Sequence, residues 1–373
     1  EYEDIINGYL SGITTPEKTT LEYAEGAKPT NATIIKTDAK KGIVMVDSKG
    51  NEWTWIEVPK TKVFKTAKNE KDYANIKEDL INYVKTYRRG AASQECFWAD
   101  EWYAMNESTV ITASTEGLTD EQKQLSNGCG LTYAKYEENY NKMLSSVYTN
   151  GGFWISRYEI GDSTATASNS TRKEGTGAAG VAVSKVDQIP YNYVKVGEAQ
   201  GLAKKLSTDT NQTSSLLFGI QWDLVCKFLE VKGNWNTTSK TAVSYLNEES
   251  KSWGNFSKIV FTLKGGKYNL SSDASGTWTD FNVDTTGYVV NKKTSNNYGV
   301  LLTTGASEYT NKMNIYDFAG NVSEWTLEYA TTSGSAPCAY RGGQYSSSGG
   351  AASYRNYQNV KAFGSIGFRA TIY

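Results

Sequence analysis

The residue types that most often carry out chemistry in proteins are scarce in this chain. Histidine is absent from all 373 residues, which excludes Ser-His-Asp and Cys-His catalysis, histidine metal ligands and the usual proton shuttle near neutral pH. The four cysteines, Cys96, Cys129, Cys226 and Cys338, include no Cys-x-x-Cys pair, so neither a thiolate zinc site nor a thioredoxin-like motif is predicted. Residue types alone therefore argue against most enzyme classes.

The cysteines leave two alternatives open. Cys96 and Cys129 flank one tryptophan-rich stretch, and they are joined by a disulfide if the compartment is oxidising or are separate thiols if it is not. Cys226 lies in an apolar helical pattern and Cys338 precedes a predicted strand. Both are predicted to be buried thiols, with a second disulfide as the alternative.

Composition favours binding over catalysis. The chain contains 26 Tyr and 34 Gly, together with many Ser, Thr and Asn, and evolved binding surfaces favour Tyr, Ser, Gly and Asn. Extracellular proteins rich in strands and loops have a similar composition, so the same composition could also reflect structure and not binding.

The 39 basic and 40 acidic residues give a net charge of −1, so no basic surface that would bind nucleic acid is expected. No apolar run approaches the roughly 20 residues of a membrane helix, so no membrane span is expected.

Apolar periodicity predicts the elements that position any site. Alternating runs on either side of Ser48–Asn51 predict a β-hairpin, and helical spacing predicts helices over residues 72–89 and 131–148. A strand is predicted in GFWISRYEIG and a long loop over residues 162–185. Two further helices are predicted in VGEAQGLAKKL and SLLFGIQWDLVCKFLEVKG, the second ending at Gly233. Between residues 234 and 310 the predicted packing anchors are Trp253, Trp278 and Tyr288.

Three motifs mark the last sixty residues: MNIYDFAGNVSEWTLE, CAYRGGQY and GSIGFRATIY. With the upstream pieces GNEWTWIEVP, GFWISRYEIG, PYNYVKVGEAQGLAKKL and SSLLFGIQWDLVCKFLE, they make the chain resemble the formylglycine-generating enzyme (sulfatase-modifying factor) family. The matching pieces cover residues 41–60 and 150–373. The resemblance implies an α+β fold of the C-type lectin-like kind with much irregular loop. It also implies a domain over residues 41–373, with a polar segment 1–40 before it and a helical insertion at 61–149.

The resemblance also implies roles for individual residues. Asn321 and Glu324 correspond to positions near a structural calcium ion, which prefers oxygen ligands. The alternative is that Glu324 pairs with Arg341 or Arg369, which are expected to support the scaffold through ion pairs or forked hydrogen bonds. Beyond that calcium ion, no cofactor is expected.

The chain departs from the family at the residues that matter for catalysis. The enzymes use a redox-active, copper-coordinating cysteine pair just after the Arg-Gly-Gly strand. Here that stretch is Gln-Tyr-Ser-Ser-Ser-Gly-Gly-Ala-Ala, and thiolate chemistry cannot run on Ser or Ala. We therefore predict a protein without catalytic activity.

The same C-terminal segment resembles the variable proteins of diversity-generating retroelements, in which template adenines are mutated between constant flanking strands. A Tyr, Ser, Gly, Asn and Ala-rich stretch lies between Arg-Gly-Gly and Ile-Gly-Phe-Arg. Mutating the adenines of an Asn codon can produce codons for most of these residues but not for Gln344, Gln358 or Lys361.

The resemblance implies a hypervariable receptor or adhesin that binds a protein or glycan on another cell or surface. It also implies that this protein is located outside the cell, on the cell surface or on a virus particle. The sequence starts at Glu1 without an apolar leader, so a removed signal or anchor is expected. The alternatives are a lectin or adhesin of fixed specificity and, less favoured, an oxidase.

The variable ligand-binding region is predicted over residues 338–373. The residues expected to contact the ligand are Tyr340, Gln344, Tyr345, Ser346, Ser347, Ser348, Ser353, Tyr354, Asn356, Tyr357, Asn359 and Phe363.

Overall fold

The structure is a computed structural model, and it describes residues 23–38, 40–87, 98–99, 128–165, 179–269, 278–280, 289–290, 299–330, 338–348, 350–359 and 361–373. These ranges contain six α-helices: α1 Lys60–Val63, α2 Tyr73–Val84, α3 Tyr133–Asn150, α4 Val196–Lys204, α5 Gly219–Lys232 and α6 Ala242–Asn247. They also contain three short 3-10 helices, Glu25–Ala27, Ser250–Ser252 and Glu308–Thr310.

The strands are short and follow in chain order. They are β1 Thr33–Lys36, β2 Val44–Val46, β3 Glu52–Glu57, β4 Trp98–Ala99, β5 Gly152–Ser156, β6 Gly161–Asp162, β7 Ala182–Val183, β8 Ile189–Pro190, β9 Ser214–Leu216, β10 Thr262–Leu263, β11 Lys267–Asn269, β12 Thr279–Asp280, β13 Val289–Val290, β14 Leu301–Leu302, β15 Asn311–Lys312, β16 Ile315–Tyr316, β17 Ser323–Ala330, β18 Cys338–Arg341, β19 Arg355–Gln358, β20 Ile366–Phe368 and β21 Ala370–Ile372. The protein is thus a mixed α+β structure with several small sheets, nearly all antiparallel.

A six-stranded sheet joins the two ends of the described chain. Its strand order is β1-β2-β3-β5-β21-β9, so the C-terminal strand β21 lies between β5 and β9. The β9 edge is covered by α4, because Leu216 N donates to Gln200 Oε1 at 2.8 Å and Ser214 Oγ donates to the Ala203 carbonyl at 2.7 Å. The edge is therefore closed by side chains as well as by packing.

A second, five-stranded sheet contains the C-terminal motifs. Its order is β19-β18-β17-β20, with β4 paired to the far end of β17. The β17–β20 pair is parallel and the others are antiparallel. The two arginines of the Arg-Gly-Gly and Gly-Phe-Arg motifs, Arg341 and Arg369, end β18 and follow β20, and both are buried.

One large apolar cluster packs the sheets and helices together. It contains Trp53 and Trp154 of the six-stranded sheet, Trp222 of α5, Trp325 of β17 and Leu80 of α2. The helices α2 and α3 within residues 61–149 thus share the core of the rest of the protein, because their apolar stripes face it. Within the described ranges, no helix is long and apolar enough to cross a membrane.

Most predicted elements are confirmed. The hairpin β2–β3 forms as predicted, α2 and α3 match the periodic segments, and Gly151 ends α3 in the left-handed conformation with a φ of 68°, as a C-terminal glycine should. Three boundaries were wrong. Ser214–Leu216 is a strand and α5 begins only at Gly219, the helix predicted to reach residue 89 ends at Val84, and the loop predicted over residues 162–185 contains the strand β7. Trp253 and Trp278 are buried as predicted. Tyr288, Cys96 and residues 166–178 lie outside the described residues, and so does any pairing of Cys96 with Cys129.

The hairpin β18–β19 has a long connection between residues 342 and 354, and its described residues, 342–348 and 350–354, contact the body of the protein at several points. Tyr345 N donates to the Asn321 carbonyl at 2.9 Å, and Ser257 N donates to the Ser347 carbonyl at 2.9 Å. Trp222 Nε1 donates to the Ala352 carbonyl at 2.9 Å. The backbone of this connection is therefore held at several points along its length.

Gly299 is required by this docking. Its φ is +78°, and a Cβ at this position would lie 2.0 Å from the Tyr345 carbonyl oxygen. We expect Gly299→Ala to lower the free energy of unfolding by about 2 kcal/mol or more, since left-handed backbone and a backbone clash both oppose the side chain. Gly265→Ala, where an added Cβ meets nothing within 4 Å, should change it by less than about 0.5 kcal/mol. Urea unfolding of both variants measures the difference, and equal losses would contradict the docking.

Candidate ligand-binding surface

Four buried charged side chains join the strands of the terminal hairpin to helix α5. Arg341 of β18 and Arg355 of β19 are opposite each other in the strand register, and both bind the same two carboxylates, Asp223 of α5 and Glu328 of β17. All four side chains are fully buried. We call these residues the arginine frame.

Both guanidinium groups of the arginine frame donate hydrogen bonds to both of its carboxylates. The Arg341 guanidinium donates to Asp223 Oδ1 at 2.7 Å and to Glu328 Oε2 at 3.1 Å. Arg355 donates to Asp223 Oδ2 at 2.9 Å and to Glu328 Oε1 at 2.7 Å. Two positive and two negative charges therefore cancel, which is the condition under which charges can be buried at acceptable cost.

The remaining guanidinium donors bind backbone carbonyls, and those of Arg341 bind the C-terminal end of the hairpin connection. Arg341 Nε donates to the Tyr354 carbonyl at 3.2 Å, and Arg341 Nη2 donates to the Ser353 carbonyl at 3.2 Å. Arg355 Nη1 donates to the Tyr87 carbonyl at 3.0 Å, in the turn that follows α2. The Arg341 guanidinium also lies over the Trp222 ring, 5.5 Å from its centroid, in a cation–π arrangement. Both ends of residues 342–354 are thus anchored to the interior.

The predicted contact residues are for the most part at least partly exposed. Partial or full exposure is seen for Tyr340, Gln344, Ser346, Ser347, Ser348, Ser353, Tyr354, Asn356, Tyr357, Asn359 and Phe363. Tyr345 is the exception, because it is fully buried in a small cluster with Ile189, Leu301 and Val322. Its assignment to the surface was wrong: it is a core residue, and its aromatic type between small polar neighbours did not distinguish the two cases.

The strand register divides the exposed residues between two faces of the sheet. Tyr340 is opposite Asn356 and Ala339 is opposite Tyr357, and alternate residues of a strand point to opposite faces. Tyr357 therefore lies on the same face of the sheet as the arginine frame. It is nevertheless 41% exposed, whereas Arg355, two residues earlier, is buried. Tyr340 and Asn356 lie on the other face.

The face that carries Tyr340 has an ordered aromatic surface. The Tyr340 ring packs edge-on against the buried Trp325, with centroids 6.0 Å apart, and Asn356 Nδ2 donates to the Tyr354 hydroxyl at 2.7 Å. Burial, with a smaller contribution from neighbouring Tyr354, raises the pKa of Tyr340 to about 12. The Tyr340 hydroxyl therefore stays protonated near neutral pH and can donate a hydrogen bond, and the rings offer contact area with few rotatable bonds.

Other predicted contacts are already used by the fold. Ser353 Oγ donates to Asn247 Oδ1, and Ser353 N donates to the Leu246 carbonyl at 3.1 Å, which ties this residue to α6. The Phe363 ring is half-buried against the main core. In contrast, Ser348 is exposed, and Gln344, Ser346 and Ser347 are partly exposed on the connection.

The two residues expected near a calcium ion are engaged by protein groups. Asn321 Oδ1 accepts from Asn255 Nδ2 at 2.9 Å and from Leu302 N at 3.0 Å. Both Glu324 oxygens accept from Arg369, which confirms the ion-pair alternative for that residue. This donor set does not fit calcium, since the oxygens are used. Within the described ranges, no cluster of three or more acidic or cysteine side chains is arranged to hold a metal ion.

A second group of buried carboxyls lies beneath Asn321. Burial raises the pKa of Glu324 to about 7 although Arg369 opposes the shift. Burial also raises the pKa of Asp317, and it raises that of Glu159, where the negative charges of Asp317 and Glu324 add to the effect. Arg369 is a cation that opposes the rise in pKa of all three carboxyls. Because one cation faces three carboxyls, ionising all of them together is costly.

The described cysteines are not placed for chemistry. Cys129, Cys226 and Cys338 are all buried, and burial raises the pKa of the Cys226 thiol well above its ordinary value. Nucleophilic and redox-active thiols instead need exposure and a lowered pKa.

Sequence reasoning missed three of the four residues of the arginine frame. Asp223, Glu328 and Arg355 were not singled out, because the contacts join positions as many as 132 residues apart. The signal that could have found them was the presence of charged residues within apolar runs, since Asp223 lies between Trp222 and Leu224 of α5 and Glu328 follows Leu327 in a buried strand.

Comparisons with known proteins add little. No protein-family model and no curated protein matches the chain. Among solved structures, the chain is similar to one titled "Crystal Structure of CarF", with 18% identity and a TM-score of 0.35, over 59% of this chain and 85% of that one. A likeness at this level carries no argument about fold or function.

The arginine frame can be tested by removing one charge. Asp223→Asn should lower the free energy of unfolding by about 3–5 kcal/mol, because it leaves two buried guanidinium groups with one carboxylate. The matched control is Glu230→Gln on the same helix, whose side chain is 20% exposed and pairs with Lys227; it should cost less than about 1 kcal/mol. If chemical denaturation gives similar losses for both variants, the arginine frame does not hold the hairpin.

The buried carboxyls predict an unusual pH dependence. The pKa of Asp317 is raised in the folded state. As pH rises, the carboxyl therefore loses its proton at a lower pH in the unfolded state than in the folded state. For this reason its contribution to stability falls as pH rises above about 4. Asp317→Asn keeps an acceptor for Gly305 N and removes the charge. Its stability relative to the wild type should therefore increase between pH 4 and pH 8.

The control for this measurement is Asp187→Asn. Asp187 is exposed and has a φ of 57°, close to the 56° of Asp317, so the two substitutions make the same change on a similar backbone. The pH profile of Asp187→Asn is the reference against which that of Asp317→Asn is compared. A profile for Asp317→Asn that does not rise above this reference would show that ionisation of Asp317 is not opposed by the fold.

Proposed function

We propose that this protein is a non-catalytic, ligand-binding variable protein of a diversity-generating retroelement, which displays a diversified C-terminal surface on a C-type lectin-like fold. The observation that carries the proposal is the arginine frame. Arg341 and Arg355 bracket residues 342–354 and are held from the interior side by Asp223 and Glu328. Side chains on the exterior of this segment can then change while its ends stay in place.

The placement of the aromatic residues supports the same proposal. Tyr340 is partly exposed and packs on the buried Trp325. Tyr354 is also partly exposed, and Tyr357 is exposed on the other side of the strand. Aromatic side chains on a rigid sheet supply contact area at low conformational cost, and a few of them usually dominate binding energy. The adjacent Ser346, Ser347 and Ser348 supply hydrogen-bonding groups without bulk.

The ligand and location follow from the resemblance described above. We propose a protein or glycan on another cell or surface as the ligand, and an extracellular, cell-surface or virus-particle location for this chain. The burial of Cys129, Cys226 and Cys338 supports the proposal that the protein is not a formylglycine-generating type of oxidase.

A codon library tests whether the surface is evolvable. The codons of Tyr340, Tyr354 and Tyr357 are replaced by mixtures in which the two adenines of an Asn codon are randomised, and the library is displayed on yeast. Most members should stay folded by protease resistance, since these rings are partly exposed, and selection against hen lysozyme as a probe should yield binders. The matched control library places the same codons at the buried positions Tyr345, Ala351 and Ala352.

The two libraries give opposite expectations. The control library should lose most folded members, because substitutions in a packed interior cost several kcal/mol. If both libraries lose folded members equally, the exposed tyrosines are structural and the proposed surface is wrong. If folded members are abundant but no lysozyme binder appears over repeated selections, the surface tolerates change without binding.

Diversification itself is tested on DNA. A nearly identical repeat of the C-terminal coding segment beside the gene, differing only at adenines, with a reverse transcriptase gene close by, is the expected finding. A locus without such a repeat would favour a lectin or adhesin with one inherited ligand.

A further inference from the structure

Residues 60–71 carry a local concentration of positive charge. They include five lysines and one acidic residue, Glu70, so their net charge is +4, whereas that of the whole chain is −1. All five lysines are exposed, and within the described ranges none of them forms an ion pair. We call residues 60–71 the lysine segment, and its lysines are Lys60, Lys62, Lys65, Lys68 and Lys71.

The backbone of the lysine segment is held by two carboxylates. Asp79 of α2, which is buried, accepts from three successive backbone N–H groups, those of residues 65–67, at 2.9–3.0 Å. Asp72 accepts from Lys68 N at 3.1 Å. The backbone is therefore fixed on the protein side while the lysine side chains extend into solvent, so the charges are already gathered before a partner binds.

Three of the five lysines have no role in the fold. Lys60 Nζ donates to the Thr149 carbonyl at 2.9 Å, and Lys65 Nζ donates to the Thr61 carbonyl at 2.6 Å. By contrast, the side chains of the other three make no hydrogen bond with any described residue. These three ammonium groups are open to an anionic partner, and they are Lys62, Lys68 and Lys71.

Aromatic rings lie beside the lysines. Phe64 packs against Tyr148 of α3 with ring centroids 4.9 Å apart, and both residues are partly exposed. The ammonium group of Lys60 lies 5.9 Å from the centroid of the Tyr148 ring. Lysines next to partly exposed aromatic rings are typical of surfaces that lie at a membrane interface.

The residue types favour a lipid surface over nucleic acid. The lysine segment contains no arginine, which is the side chain that binds phosphates through two parallel hydrogen bonds. Lysine acts as a point charge, and point charges are sufficient for attraction to a surface of dense negative charge. The attraction falls off within a Debye length, so five separate charges act together only when the partner is itself extended.

We propose that the lysine segment docks this protein on an anionic phospholipid surface. The segment lies just before the N-terminal end of α2, whereas Arg355 of the terminal hairpin donates to the Tyr87 carbonyl just past the other end of that helix. The 12 residues of α2 span about 18 Å, so the hairpin lies about one helix length from the lipid contact. This inference is independent of the proposed function, since it concerns a different surface.

Vesicle flotation tests the proposal. The wild-type chain should float with vesicles of phosphatidylglycerol and phosphatidylcholine in about equal amounts at about 50 mM NaCl, and it should not float with them at about 500 mM NaCl, because salt screens the attraction. It should not float with phosphatidylcholine alone. Absence of flotation with the phosphatidylglycerol vesicles, or flotation that does not depend on salt, would overturn the proposal.

Removal of the three open charges locates the contact. In Lys62→Gln/Lys68→Gln/Lys71→Gln the apparent affinity for the vesicles should fall at least about tenfold. The matched control loses three exposed lysines at other places on the surface, and its affinity should stay within about twofold of the wild type. The control variant is Lys36→Gln/Lys251→Gln/Lys258→Gln. Equal losses in the two variants would overturn the proposal, because net charge and not the lysine segment would then determine binding.

Acetylation footprinting gives the same information on the unaltered chain, so it does not depend on the folding of a variant. The wild type is treated with a trace of acetic anhydride with and without phosphatidylglycerol vesicles, and acetylated peptides are measured by mass spectrometry. Vesicles should protect the three open lysines of the lysine segment and leave the three control lysines reactive. Protection of both sets, or of neither, would overturn the proposal.

A competitor separates lipid from nucleic acid. A DNA duplex of mixed sequence, added at the same phosphate concentration as the vesicles, should leave the protein bound to the vesicles. If the duplex removes the protein from the vesicles, the lysine segment binds nucleic acid in preference to lipid and the proposal is wrong.

Discussion

Two arginines cannot be buried side by side unless their charges are matched, and in this protein that requirement joins the terminal hairpin to the interior. Asp223 and Glu328 each contact both Arg341 and Arg355, so helix α5 and strands β17, β18 and β19 have to meet in one geometry for any of the four charges to be paired. A buried ion network of this kind contributes little net stability compared with an apolar core, but losing one member is costly. Its main effect is to specify the positions of the two strand ends.

The connection between those ends is held in a different way. Its backbone is fixed by hydrogen bonds to Asn321, Ser257 and Trp222, which depend on peptide groups and not on the side chains of the connection itself. Tyr345 is the large side chain of the connection that is fully buried, and it enters a small cluster apart from the main core. A segment anchored mainly through its backbone can accept substitutions at its exposed positions and keep the same backbone conformation. A segment anchored through side-chain packing cannot.

Much of this architecture could be predicted from the sequence, for reasons that individual residues show. The helices α2 and α3 have clear apolar stripes, and Gly151 marks the end of α3, so local pattern was sufficient there. Ser215 and Leu216 were assigned to a helix because a short apolar run is compatible with both the helical and the strand period. Their pairing with β21 is decided by residues more than 150 positions away. The arginine frame and the burial of Tyr345 are likewise tertiary, since neither residue type nor spacing states which partners the fold brings together.

The edge of the hairpin and its surface impose competing demands on the same few residues. Asn356 lies between the exposed tyrosines, yet both ends of its amide are used, one for the Tyr354 hydroxyl and one for the Tyr357 N–H. A change there alters the orientation of a contact ring and also removes an acceptor of the Tyr357 N–H, whereas a change at Tyr340 or Tyr357 affects neither hydrogen bond. Positions in this segment are therefore unequal in what they tolerate, because a side chain that satisfies backbone groups belongs to the fold even when it is exposed to solvent.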